Sequence, residues 1–238
     1  MLSGGTTTAT WVASAVADGH GASPHFRSHV GSELAASGTV RLLAWQMEEV
    51  GSDPADAGLA QEVVDHWRQA VATHVANYPF GSSEGSRSRD DLYTPYGTTL
   101  LAFAADDGAI AAHQIGDGDL LLGYADGHMA RPLPVDTGLV GEETYSLCLP
   151  DAVGRFRHVA LKKCNAAAWP DFVCISTDGV AKSFLDDDAF LAAIAQIRCN
   201  ALADWEDLIA VLPEWLRDVS RSGSGDDSTI SIALYTDS

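Results

Sequence analysis

The chain has 238 residues, 46% hydrophobic and 20% charged, a composition that suits one large globular domain with a substantial core. Thirty-three acidic residues against fourteen Lys and Arg give a formal net charge of -19, a surface that repels phosphate backbones and anionic lipid, which argues against nucleic acid and membrane as main partners. The four cysteines, Cys148, Cys164, Cys174 and Cys199, make no CxxC pair and no zinc-ligand spacing with histidine, so a reduced cytoplasmic setting is expected, with Cys174 a small core residue.

The opening MLSGGTTTAT has no basic region followed by an apolar run, so no secretory signal is expected, and no apolar stretch of about 18 residues offers a membrane span. WVASAVA (11–17) is short and apolar between Thr10 and Asp18-Gly19, and reads as a buried strand. Phe26, Val30, Leu34 and the run to Met47 indicate helix, interrupted near Gly38. In LAQEVVDHWRQAVATHVAN, Leu59, Val63, Trp67, Val71 and Val75 recur at every fourth position, one face of a long amphipathic helix. GSSEGSRSRDD, between Gly81 and Asp91, is polar and turn-rich and reads as a mobile surface loop.

The period then shortens. TTLLAFAA, AIAAHQI and DLLLGYA read as three strands, punctuated by Asp106-Asp107-Gly108 and Gly116-Asp117-Gly118, the pattern of an antiparallel meander. Residues 155–161 and DFVCIST (171–177) add strands. Asp186 to Asp188 form the acidic first turn of a helix carrying Phe190, Leu191, Ile194 and Ile197. A further helix starts at Trp205 and breaks or restarts near Pro213, and TISIALY (229–235) alternates as a strand. The layout is an α+β domain in which helices cover antiparallel sheets.

Acids sit at three strand ends beside glycine. Asp18 follows the first strand, Asp178 follows the apolar FVCIST, and Asp226-Asp227 precede the last strand. A single Asp-Gly is most often a surface turn, the reading given to Asp106-Asp107-Gly108 and Asp126-Gly127. The three strand-end sites differ, because neighbouring strands lie about 5 Å apart and their terminal acids can converge. Crowded carboxylates repel one another, and hard divalent cations such as Mg²⁺ or Mn²⁺ relieve that repulsion with oxygen ligands. An adjacent glycine lets backbone, and its carbonyl, approach the ion.

The order AVADGHG, GTTL (97–100), QIGDGDLLL (114–122), ISTDGV (175–180) and GDDSTISIAL (225–234) resembles the metal-dependent Ser/Thr protein phosphatases of the PPM family, type 2C, the bacterial members most closely. The resemblance runs from about residue 12 to residue 235. It implies a four-layer α-β-β-α sandwich, two antiparallel sheets flanked by helices, with a metal site between the sheets at one edge. It implies Asp18, the Gly19 carbonyl, Asp178 and Asp226 as ligands to two Mg²⁺ or Mn²⁺ ions. A water between the ions is then acidified to the attacking hydroxide, and His20 supplies the proton to the leaving serine or threonine oxygen. Asp117 matches an acid that helps to hold a third ion in some members. The partner acid four residues after Asp178 is Lys182 here, which argues against a third ion.

The family also carries a preceding strand with an acid for the second metal. Only ten residues precede Trp11, and they contain no Asp, Glu or Arg, so a single domain lacking that strand is expected. For the substrate phosphate, Arg27, Arg87 and Arg89 all stay open. Two functions lead, beside a third, a hydrolase acting on a small phosphorylated molecule. One is hydrolysis of phosphoserine and phosphothreonine in proteins, paired with a cognate kinase. The other is a catalytically weak or inactive phosphatase-like regulatory or binding module.

Overall fold

Which face of the chain each apolar residue takes decides the layering of this protein. The computed structural model describes residues 11–50, 58–85, 91–134, 144–165 and 169–235. Strands β1 (Trp11–Val16), β2 (Leu100–Asp106), β3 (Ala109–Ile115), β4 (Asp119–Gly123), β5 (Met129–Ala130), β6 (Arg157–Lys162), β7 (Phe172–Ser176) and β8 (Ile230–Leu234) form two antiparallel sheets. Their orders are β1-β2-β3-β6 and β5-β4-β7-β8. The helical elements are α1 (Ser28–Trp45), α2 (Leu59–Asn77), the one-turn α3 (Ser82–Gly85) and α4 (Asp178–Ala181), α5 (Asp187–Ala203) and α6 (Trp205–Ser222).

Along β2, Leu101 and Phe103 point between the sheets, with Leu120, Leu122, Val173 and Ile175 from the second sheet. The alternate residues, Leu100, Ala102 and Ala104, face α1 and α2, where Ala35, Leu43 and Trp67 cover them. Small alanines on that face let the helices lie close. On the far side Leu121, Phe172 and Cys174 meet Phe190, Ile194 and Leu208 of α5 and α6. This is the expected α-β-β-α sandwich, and each fully buried Leu or Phe contributes roughly 1.5–3 kcal/mol to it. The two sheets also share a polar contact, Ser14 Oγ to Ser231 Oγ at 2.7 Å.

The four-residue stripe of α2 is observed: Leu59, Val63, Trp67 and Val71 are buried, and the Trp67 indole donates to the Gly31 carbonyl at 3.0 Å. Asp186 caps α5, accepting from the Ala189 amide at 2.8 Å. Cys148 and Cys174 are buried, and all four cysteines are free.

Four expectations need correction. Helix α1 runs unbroken through Gly38, because its buried residues Gly31, Ala35, Thr39 and Leu42 continue on both sides of it. Helix α6 likewise continues through Pro213, since Leu208 and Leu212 are buried before the proline and Trp215 and Leu216 pack beyond it; packing there outweighs the lost amide. The supposed meander is a hairpin followed by a crossing: β2 and β3 pair, but β4 belongs to the other sheet. Gly116 (φ 88°) and Gly118 (φ 109°) make that change of sheet, in a left-handed conformation that side chains rarely adopt. The loop expected between Gly81 and Asp91 contains the helical turn α3, and residues 86–90 lie outside the described residues.

Candidate metal centre

The carboxyl end of β1, the carboxyl end of β7, the start of β8 and the β3–β4 crossing all fall at one end of the sandwich. That topology brings the strand-end acids together. Asp18, Asp178 and Asp226 each offer a carboxylate oxygen within 4.8 Å of the others. Asp117, from the crossing, stands within hydrogen-bond reach of Asp178 and joins them as a fourth acid. The Asp227 amide donates to Asp226 Oδ1 at 2.9 Å.

Backbone around each acid is fixed by residues the sequence reading left unassigned. Asp18 is held by the GTTL segment: its amide donates to Thr99 Oγ1 at 3.1 Å, and its carbonyl accepts from the Thr99 amide at 2.9 Å and Thr98 Oγ1 at 2.8 Å. Thr98 is in turn tied to the buried Ser146 hydroxyl, which accepts from its amide at 3.0 Å and donates to its carbonyl at 3.1 Å. Two threonines between a glycine and a buried strand were the signal for this clamp. The Asp117 loop is pinned by Gln114, donating to the Gly118 carbonyl at 2.9 Å, and by Arg157, donating to the Gly116 carbonyl at 2.7 Å. Asp226 sits in a loop closed by Ser220 Oγ donating to its carbonyl at 2.7 Å. Gly179 is needed for close approach: a Cβ there would lie 2.4 Å from the Asp227 carbonyl oxygen.

The electrostatics are those of acids lacking enough counter-charge. Burial, then the adjacent Asp178 and the charges of Asp226 and Asp117, push the Asp18 carboxyl up to about 7. Burial and Asp178 raise Asp117 as well. Asp178 goes the other way. Burial alone would raise it, but the Lys182 ammonium on Oδ2 and the neighbouring Asp18 and Asp117 carboxyls hold it below the usual range. Its other oxygen, Oδ1, is buried with no hydrogen-bond partner among the described residues. Hard oxygen donors, mutual repulsion and one orphaned carboxylate oxygen fit a divalent cation of the Mg²⁺ or Mn²⁺ type.

His20 lies close enough to Asp178 to feel its charge, and its amide donates to the Gly97 carbonyl at 3.1 Å. Its ring stands 4.9 Å from that of His25, a neighbour the sequence reading did not single out. Burial and then the charge of His25 lower His20 to about 4, so the ring is neutral at pH 7. His25 Nδ1 bonds the Thr94 carbonyl at 2.6 Å, which fixes its ring against Gly97.

Arg27 is not free to hold phosphate. Its guanidinium donates to the carbonyls of Tyr78 and Pro79, the Tyr96 hydroxyl and Glu84, and lies over the Phe80 ring. Arg87 and Arg89 lie outside the described residues, as do residues 1–10, on which the expectation of a lacking strand falls. Asp106 and Asp126 cap tight turns away from the site, as expected.

A family model described as protein phosphatase 2C matches residues 3–217. No curated protein matches the chain. Among solved structures, the Ser/Thr phosphatase Stp1 from Staphylococcus aureus is 12% identical, with 94% of this chain and 84% of that one covered and a TM-score of 0.60. The catalytic domain of the Ser/Thr protein phosphatase PstP, in complex with two manganese ions, is 18% identical over 97% of this chain and 90% of that one, TM-score 0.58. PppA, a regulatory component of T6SS in Pseudomonas aeruginosa, is 16% identical over 94% and 86%, TM-score 0.58. These likenesses carry the two-sheet fold across almost the whole chain.

Proposed function

Because the chain belongs to the protein phosphatase 2C family, we propose that it hydrolyses phosphoserine and phosphothreonine in proteins with Mg²⁺ or Mn²⁺ held by Asp18, Asp178, Asp226 and the Gly19 carbonyl. The single observation that carries this reading is the convergence of three carboxylates from three separate strand ends within 4.8 Å. When bound, divalent cations would neutralise those acids, screen the phosphate and acidify water for attack.

The chain's own residues do the rest. Thr98, Thr99 and Ser146 hold the Asp18 backbone so that its carboxylate is presented without rotating away. Gly179 lets the Asp226 loop close over the end of β7. His20 is assigned to the leaving oxygen. It is neutral when the site is empty of substrate, and one ring N–H suffices to donate a hydrogen bond to an ester oxygen. An arriving phosphate dianion adds negative charge beside the ring and raises its proton affinity, opposite to the effect of burial. As a water oxygen forms the new P–O bond and releases its proton to solvent, the bond from phosphorus to the serine or threonine oxygen breaks; His20, protonated once the phosphate dianion stands beside it, gives its proton to the leaving oxygen and regains one from solvent.

Four free cysteines accord with a reducing cytoplasmic setting, and none of the described helices is long and apolar enough to cross a membrane. The test is hydrolysis of a phosphothreonine peptide with Mn²⁺, with chelator, and by Asp178→Ala. Turnover only with Mn²⁺, lost in Asp178→Ala, is expected. Metal-independent turnover refutes the reading, and Mn²⁺ binding without turnover assigns the chain to a binding module instead.

A further inference from the structure

We propose that Lys182 is the built-in counter-cation of the carboxylate cluster and competes with metal for Asp178, an inference that rests on the cluster being a metal centre. The one-turn helix α4 places Lys182 four residues after Asp178, and its amide donates to the Asp178 carbonyl at 2.9 Å. In that turn the ammonium Nζ reaches Asp178 Oδ2. The two oxygens of Asp178 therefore differ: Oδ2 holds an internal cation, and Oδ1 is buried with no hydrogen-bond partner among the described residues.

A divalent ion placed on Asp178 meets a positive charge already on the same carboxylate. Like charges at such separation repel, and binding must either displace the ammonium or tolerate it. Displacement is easy for this side chain, which is 59% exposed and can swing its head into water while Asp178 stays 14% exposed. Without metal the same ammonium offsets the repulsion among Asp18, Asp117, Asp178 and Asp226, to three of which it is coupled. Lys182 thus stabilises the metal-free chain and lowers its affinity for metal.

The experiment is calorimetric titration of Mn²⁺ into the whole chain and thermal melting in chelator, for wild type, Lys182→Met and Lys182→Arg. With the charge removed, K182M binds Mn²⁺ about tenfold more tightly or better and melts several degrees lower without metal. K182R keeps the charge and stays within about threefold of wild type. Lys182→Gln serves as a second neutral variant should K182M not fold. Equal or weaker Mn²⁺ binding in the neutral variants overturns the role of Lys182 while leaving the metal centre intact. No Mn²⁺ binding in wild type or in either neutral variant overturns both.

Discussion

Replacing Asp18 by Asn separates metal binding from folding, because the two should change in opposite senses. Among the described residues the Asp18 side chain has no cation of its own; Lys182 sits on Asp178 instead. At the 4.8 Å limit of the cluster, two unit charges repel by about 3.5 kcal/mol at an effective dielectric constant of about 20, and by about 0.9 kcal/mol in bulk water. Asp226 is exposed and Asp178 is partly neutralised by Lys182, so the lower part of that range applies. Removing the Asp18 charge therefore stabilises the metal-free chain by about 1–2 kcal/mol, and the Asn amide can still donate to Asp178. For a chain of this size that raises the melting temperature by about 2–8 °C in chelator, measured at pH 8 where the wild-type carboxylate is charged.

With Mn²⁺ at a hundred times its dissociation constant, wild type gains about 2.7 kcal/mol, a rise of about 5–11 °C. The Asn variant should gain less than about 2 °C under the same conditions. The assay is a pair of melting curves for each protein, with and without Mn²⁺. Loss of stability in chelator, or an undiminished Mn²⁺ response, would refute the argument that Asp18 is a ligand held against its own repulsion.

Three further outcomes follow from particular contacts. His20→Asn should slow hydrolysis of a phosphoserine peptide by about 10²–10⁴-fold but that of an aryl phosphate by less than about tenfold, since only the alkoxide needs a proton; equal losses would remove His20 from the leaving group. Thr98→Val takes away one of the two hydrogen bonds to the Asp18 carbonyl, so it should cost about 1–2 kcal/mol and weaken Mn²⁺ binding, read by melting and calorimetry. Arg198 holds Asp171 through Nε at 2.6 Å and a second nitrogen at 2.5 Å beneath Gly123, far from the acids in role. Arg198→Met should cost about 2–4 kcal/mol, discounted because Asp171 is partly exposed, and leave Mn²⁺ affinity unchanged.

The sequence by itself determined the strands, the main helices and which acids converge. The short, unbroken apolar runs LLAFAA and FVCIS committed those stretches to strands with both faces covered, and the four-residue stripe of α2 admitted no other element. Acid beside glycine at the ends of three apolar runs marked Asp18, Asp178 and Asp226 before any geometry existed, because strand ends are where a sheet presents side chains together. Local signals failed where burial outweighed them. Gly38 and Pro213 are breakers only when nothing holds the helix on either side, and here the buried stripe continues past both.

Tertiary structure alone decided what the polar residues face. Gly116-Asp117-Gly118 has the sequence of a hairpin turn; only the pairing of β4 with β7 shows that it crosses between sheets and delivers Asp117 to the cluster. Arg27 follows the Asp18 turn closely in sequence, yet Tyr78, Pro79, Tyr96 and Glu84 draw its guanidinium away. Lys182 was legible as an absent acid, but its ammonium on Asp178 was not, since pairing between two side chains depends on a helical turn that a four-residue stretch does not announce. Spacing along the chain fixes which residues can meet; long-range packing fixes which of them do, and with what charge beside them.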